Sequence, residues 1–194
     1  MMPALIIISF IIGSIPTGLL IAKSKGIDLR KVGSGNIGAT NVLRAVGKEA
    51  ALFTLLGDIA KGAVPVAIAK TLALDTLDAG IVGLSAILGH NFSLFLKFKG
   101  GKGVSASIGV LLAFSPYVAI FTIVLWLLTA KWTRYSSLSA LVSFGLLPLS
   151  IYMIDYSKEK MIIAAAITVL IYIRHAANIK RLIQGTESKI GQKV

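Results

Sequence analysis

The chain has 194 residues, of which 56% are hydrophobic and only 14% charged, with a mean hydropathy of +0.85 and a net charge of +12. A soluble domain carries about 25% charged residues, so the shortfall and the long apolar runs mark an all-α, polytopic membrane protein, expected to form one membrane-embedded domain over 1–194. The lack of cysteine excludes thioester catalysis by the protein, disulfides and thiolate metal sites, and two histidines exclude a histidine-rich metal cluster. No metal or cofactor is expected. Nor is nucleic acid, because no aromatic-basic module accompanies the charge and basic cytoplasmic loops are the usual topology signal of membrane proteins.

In chain order, membrane segments are expected near 3–22, 50–73, 79–95, 104–114, 116–130, 137–154 and 160–178. The run from Ala4 to Ala22 is uncharged and matches the ~20 residues a bilayer needs. It lacks a basic n-region, so it reads as a membrane helix and not as a cleaved signal. The run 104–130 would make a helix of ~40 Å if continuous. Ser115-Pro116 argues for a break, since the residue before a proline is pushed out of helical space.

Charge favours the split. With it, and with the N-terminus outside, the cytoplasmic loops hold Lys23, Lys25, Arg30, Lys31, Arg44 and Lys48, then Lys97, Lys99 and Lys102, then Lys131 and Arg134, then Arg174, Lys180, Arg181, Lys189 and Lys193. That bias fits the positive-inside rule. Seven segments are therefore expected, with five or six as alternatives, and every polar glycine-rich string falls on one face.

The first such string runs from Gly33 to Arg44. Gly33, Gly35 and Gly38 allow backbone N–H groups to converge, and Ser34, Asn36, Thr40 and Asn41 add neutral donors, as a phosphate site requires. Thr40 and Arg44 are spaced to share one face of a helical turn. The second string follows His90-Asn91 and carries Lys97, Lys99 and Lys102 among Gly100, Gly101 and Gly103. It is not a Walker A loop, because Leu96 stands where that motif needs glycine. Lys97 and Lys99 suit snorkelling at a membrane edge, whereas Lys102, between two glycines, suits a ligand loop. The third string is 174–181, where Arg174, Asn178 and Arg181 share a face and His175 with Asn178 can reach one hydroxyl or phosphate. Basic residues at a helix C-terminus also simply complement its dipole. Asp58 and Lys61, one helical turn apart in apolar surroundings, read as a mutually neutralising pair. Ser136, Ser137 and Ser139 either line the site or cap a helix.

Taken together, SGNIGATNVLR, GHNFSLFLKFKGGKGVS and RHAANIKRLIQGTE closely resemble the three motifs of the bacterial acyl-phosphate:glycerol-3-phosphate acyltransferase family (PlsY), in family order. GSIPTGLLIAK at 13–23 and GDIAKG at 57–62 add to the likeness. Ser93 departs from it, standing where the family commonly has proline. The resemblance implies a multi-pass enzyme of the bacterial inner membrane with a cytoplasm-facing site. It would move an acyl chain from acyl phosphate to the 1-hydroxyl of glycerol 3-phosphate, giving lysophosphatidic acid and phosphate, the first step of phospholipid synthesis. A monomer in the bilayer is compatible with this.

The residues suit that chemistry independently. The other common acyltransferase signature, His-x4-Asp, is absent, because Phe95 and Lys180 stand where aspartate would follow His90 and His175. Acyl phosphate is already activated, so positioning and charge neutralisation can supply most of the acceleration without an acyl-enzyme. Ser34, Gly35, Asn36, Gly38, Thr40, Asn41, Gly101 and Gly103 are expected around the acyl-phosphate head. Lys102 and Arg44 are expected to hold anionic oxygens, and Ser137, Arg174, His175 and Asn178 to take glycerol 3-phosphate. The base is His90, His175 or the donor's own phosphate. The competing expectation is a transporter of a phosphorylated solute with Asp58 and Lys61 on its path, against which the lack of internal repeats counts.

Overall fold

Lipid offers no hydrogen-bond partners, so a membrane-spanning chain must close its backbone bonds internally. A computed structural model describes residues 1–192 and accordingly holds helices and no strand among them. Lys193, counted above with the cytoplasmic charges, lies outside the described residues. The helices are α1 (Met2–Ser14), α2 (Thr17–Ser24), α3 (Ala39–Ala45), α4 (Lys48–Thr71), α5 (Thr76–Asn91), α6 (Val104–Phe114), α7 (Pro116–Thr133), α8 (Ser136–Gly145), α9 (Leu147–Ile154), α10 (Lys158–Arg174) and α11 (Ala176–Ile183), with one 3-10 turn at Leu94–Leu96.

Four stretches are long and apolar enough to cross a membrane: α1 with α2, α4, Thr76–Leu96 and α7. Two bent pairs raise the number to six, α8–α9 at 43° and α10–α11 at 59°. The expected break at Ser115-Pro116 is present, with α6 ending at Phe114 and Pro116 opening α7. Three expected segments are less regular than their apolar runs imply. Residues 3–22 are interrupted at Ile15-Pro16, 137–154 is bent ahead of Pro148, and 160–178 bends at His175.

Helix packing relies on small residues, since apolar side chains gain little by leaving lipid for one another. A Cβ on Gly109 of α6 would lie 2.0 Å from Ile59 O of α4, and one on Gly62 of α4 would lie 2.1 Å from Ala106 O of α6. α1 and α5 meet in the same way through Gly13 and Gly89. Behind these contacts lies a core that includes Val66, Val82, Ile87, Leu111, Phe114, Phe144, Ile163 and Ile167. A smaller cluster of Ala22, Leu29, Val42, Ala50 and Ala51 ties α2 and α3 to the start of α4. Large apolar residues such as Ile7, Phe53, Ile120 and Leu128 face outward, as a lipid-facing surface requires.

The Ile15-Pro16 break frees carbonyls at membrane depth, and side chains from other helices answer them. Lys61 Nζ donates to Ile15 O at 2.8 Å while lying 2.8 Å from Asp58 Oδ1. The expected Asp58–Lys61 pair is thus present and has a second task. Ser93, the departure from the family pattern, is buried and donates to Ser14 O at 2.5 Å, and Leu94 N–H donates to Ser14 Oγ. Ser93→Ala leaves Ser14 O unanswered and is expected to destabilise the protein by ~1–3 kcal/mol. Thermal unfolding in detergent measures this, with Ser24→Ala, an exposed hydroxyl bonded within its own helix, expected to stay within about 0.5 kcal/mol of the parent.

Candidate active site

The three strings close around one cavity of about 420 Å³. Its walls come from the 34–44 loop with α3, the first half of α4, the end of α5, the lysine loop and start of α6, the second half of α7, the start of α8, and His175, Asn178, Glu187 and Ser188. Part of the lining is polar and cationic. The rest is made by apolar residues that include Leu52, Leu55, Ile59, Ile108, Ile123, Trp126 and Leu127, of which Leu52, Leu55 and Leu127 are also exposed on the outer surface. The cavity therefore suits a ligand with an anionic head and an apolar chain that leaves sideways.

Of the residues expected from sequence, Ser34, Asn36, Gly38, Thr40, Asn41, Arg44, His90, Lys102, Gly103, Ser137, His175 and Asn178 line this cavity, whereas Gly35, Gly101 and Arg174 do not. Thr40 and Arg44 do share a face of α3. Thr40 Oγ1 lies 3.1 Å from Ser136 Oγ, and Arg44 Nη2 donates to Ser188 O and Lys189 O.

Asn41 is used differently from a free donor. Its Oδ1 accepts from Ser34 N–H at 3.0 Å, and its Nδ2 donates to Asn36 O at 2.8 Å, with longer bonds to Val32 O and Leu29 O. The amide is fully engaged in shaping the loop. Arg174 is likewise engaged. Its Nε and Nη2 reach Gly101 O at 3.0 and 2.8 Å, Nη2 also reaches Gly100 O, and the guanidinium stacks on Phe92. It fastens the lysine loop from behind.

His175 sits at the bend between α10 and α11, where its own backbone N–H closes the last turn by donating to Ile171 O at 3.0 Å. Its Nδ1 lies 2.8 Å from Ile171 O. A carbonyl only accepts, so Nδ1 carries the proton and the neutral ring presents Nε2 as an acceptor.

Glu187 is the site residue whose part the sequence did not disclose. Its Oε1 accepts from Ser137 Oγ and Asn178 Nδ2, each at 2.7 Å, and its Oε2 accepts from Arg181 Nε at 2.7 Å. Burial would raise this carboxyl, but the three donors outweigh it and hold it below its ordinary value. Burial pulls the Lys102 ammonium down to about 8; Glu187 opposes that drop, and the Arg181, Arg174 and Arg44 guanidiniums add to it. The one signal available was that Glu187 is the sole carboxylate within the three strings. Asp58, Ser136 and Trp126 complete the wall, and Trp126 Nε1 is buried without a partner.

A sequence profile described as Glycerol-3-phosphate acyltransferase matches residues 3–185. A Glycerol-3-phosphate acyltransferase of Sinorhizobium fredii (strain NBRC 101917 / NGR234) is 50% identical over 186 residues, covering 95% of this chain and 90% of its own. One of Geobacter sulfurreducens (strain ATCC 51573 / DSM 12127 / PCA) is 42% identical over 182 residues, covering 94% of each. Among solved structures, the integral membrane glycerol 3-phosphate acyltransferase PlsY (YgiH) in its glycerol 3-phosphate form superposes with a TM-score of 0.93 at 41% identity, covering 98% of this chain and 96% of that one. Its lysophosphatidic acid form gives 0.92 at 40% identity, over 98% and 95% of the two chains.

Asn41→Ala removes the partner of three loop carbonyls and of Ser34 N–H at once. A loss of ~1–3 kcal/mol in stability is expected, with faster amide exchange confined to residues 29–37. Hydrogen exchange read by mass spectrometry, beside thermal unfolding, checks both.

Proposed function

This chain belongs to the glycerol-3-phosphate acyltransferase family, and from that premise we propose that it moves an acyl chain from acyl phosphate to the 1-hydroxyl of glycerol 3-phosphate, releasing lysophosphatidic acid and phosphate. The observation that carries this reading is the mixed lining of one cavity, which joins cationic and hydroxyl-bearing side chains to an apolar wall whose Leu52, Leu55 and Leu127 reach the outer surface. An acyl phosphate has that shape. A transporter has less to recommend it, because Asp58 and Lys61 are occupied with each other and with the Ile15 carbonyl.

In the proposed mechanism the acyl chain lies along Ile59, Ile108, Ile123 and Trp126. Ser34, Asn36, Gly38 and Thr40 hold its phosphate. Lys102 and Arg44 neutralise anionic oxygens, while Ser137, Asn178 and His175 orient the acceptor, His175 Nε2 accepting from its 2-hydroxyl and leaving the proton of the attacking 1-hydroxyl directed at the phosphate. Asn41 and Arg174 act through the backbone they hold, and Gly101 and Gly103 give the lysine loop its path. The hydroxyl oxygen attacks the carbonyl carbon, the carbon–oxygen bond to phosphate breaks, and the proton leaves on the phosphate. Phosphate is a suitable base, since its second pKa lies near 6, and no acyl-enzyme is required. No cofactor enters. The protein would work as a monomer in a bacterial inner membrane, with seven segments, its N-terminus outside and its site facing the cytoplasm, the arrangement its basic loops favour.

Purified protein in detergent is expected to release phosphate from palmitoyl phosphate only with glycerol 3-phosphate present, with stoichiometric lysophosphatidic acid. Lys102→Ala is expected to lose about 100-fold or more. Glycerol-independent release, or none from folded protein, would sink the reading. A second prediction concerns pH. Lys102 is charged below about 8, so kcat/KM for glycerol 3-phosphate is expected to fall as pH rises through that value, because this ratio reports groups of the free enzyme. Lys102→Arg should move the falling limb upward. Glu187→Gln, which removes the anion opposing the shift, should move it downward.

A further inference from the structure

The lysine loop rests on an imidazole. A Cβ on Gly101 would lie 2.2 Å from His90 Nε2 and 2.9 and 3.0 Å from Cε1 and Cδ2, so the loop backbone lies directly on the ring edge. Gly101 N–H donates to His90 O at 2.9 Å and Gly100 N–H to Asn91 O at 3.2 Å, while Arg174 donates to the carbonyls of Gly100 and Gly101 themselves. Lys102 is the next residue. The position of the ring thus sets where the ammonium begins.

The ring in turn faces a carboxylate. His90 is 4% exposed, and its Nδ1 lies 3.8 Å from Asp58 Oδ1, neither atom having a well-aligned hydrogen-bond partner. A histidine present for packing alone would leave Nδ1 uncompensated in a buried wall, and an apolar side chain would pack as well. Asp58 is held by Lys61, and Lys61 is anchored on the Ile15 carbonyl. One line of contacts runs from the α1–α2 break to Lys102.

We propose that Asp58 and His90 are positioning residues for Lys102: the carboxylate orients the imidazole through Nδ1, and the imidazole edge fixes the height of Gly100–Gly101 and hence the reach of the ammonium to substrate phosphate. The proposal rests on Lys102 being the group that holds phosphate. With Nδ1–H turned to Asp58, the neutral ring keeps Nε2 toward the loop, and His90 takes no part in proton transfer.

The test uses the full-length protein in detergent and two readouts. In the first, amidination of Lys102 by methyl acetimidate is followed by peptide mass. His90→Gln and Asp58→Asn are expected to change its rate about fivefold or more while Lys131 is unaffected. This arm needs no turnover, so it decides the positioning role even if the wild type fails to use palmitoyl phosphate, an outcome that would overturn the acyltransferase reading alone. In the second, each substitution is expected to lower kcat/KM for glycerol 3-phosphate about 10- to 100-fold, but to change residual turnover less than about 2-fold when Lys102 is already alanine, because coupled sites are not additive. Gly101→Ala, which drives a methyl into the ring, should lose about 100-fold, and adding His90→Ala should recover part of that loss. Equal losses with and without Lys102, unchanged amidination, or no recovery in the double variant would each overturn the proposal. So would failure of both His90→Gln and Asp58→Asn to fold, since the pair would then serve folding and not the loop.

Discussion

A backbone interrupted at membrane depth has to find its hydrogen bonds within the protein, and most of the unusual polar side chains here answer that demand. Lys61 and Ser93 serve the carbonyls freed at Ile15-Pro16. Asn41 serves four backbone groups of the first loop. Arg174 serves the carbonyls of the lysine loop, and His175 serves the last turn of α10. A site for a small anion at the edge of a helical bundle needs loops with bare N–H groups and glycines. Such loops are stable against a bilayer only if other helices carry the groups that bind their carbonyls.

That division of labour explains which polar groups remain free for a ligand. Ser34 and Asn36 line the cavity while Asn41 does most of the shaping of the loop, with Asn36 Oδ1 accepting only from Ile37 N–H. Lys102 reaches the cavity because Arg174, and not Lys102, holds the glycines before it. Lys102 and Arg44 on the cavity wall, with Arg181 close enough to act on Lys102, would repel one another without an anion. Glu187 supplies one, bound by Ser137, Asn178 and Arg181. The carboxylate keeps Ser137 and Asn178 aligned and leaves a net positive surface for substrate.

Much of this was legible in the chain. The Ser115-Pro116 break followed from proline sterics, the Asp58–Lys61 pair from the cost of a lone charge in lipid, and the shared face of Thr40 and Arg44 from helical spacing. The bends at Ile15-Pro16, before Pro148 and at His175 were harder to foresee, because an apolar run records burial in lipid whether or not its helix is straight. The roles of Asn41 and Arg174 were hidden for another reason. A donor that binds phosphate and one that binds a neighbouring carbonyl are the same residue type, and only the loop path decides between them. Ser93 shows this from the other side. It stands where the resembled family commonly has proline, and its hydroxyl closes a gap at the end of a helix 79 positions earlier.

The small-residue helix contacts bear on the chemistry as well as on stability. α4 carries Asp58 and Lys61 within the turns that meet α6 through Gly62 and Gly109, and α6 begins immediately after Lys102 and Gly103. Close approach of these two backbones brings the Asp58 carboxylate under the end of α5, where His90 turns into the lysine loop. A bulkier seam would separate α4 from α6 by a side-chain layer and lift the loop from its support. One helical turn before Asp58, Leu55 lines the same cavity, as does Leu52, and both are exposed at the surface, so one helix supplies the wall with a buried carboxylate and with apolar side chains.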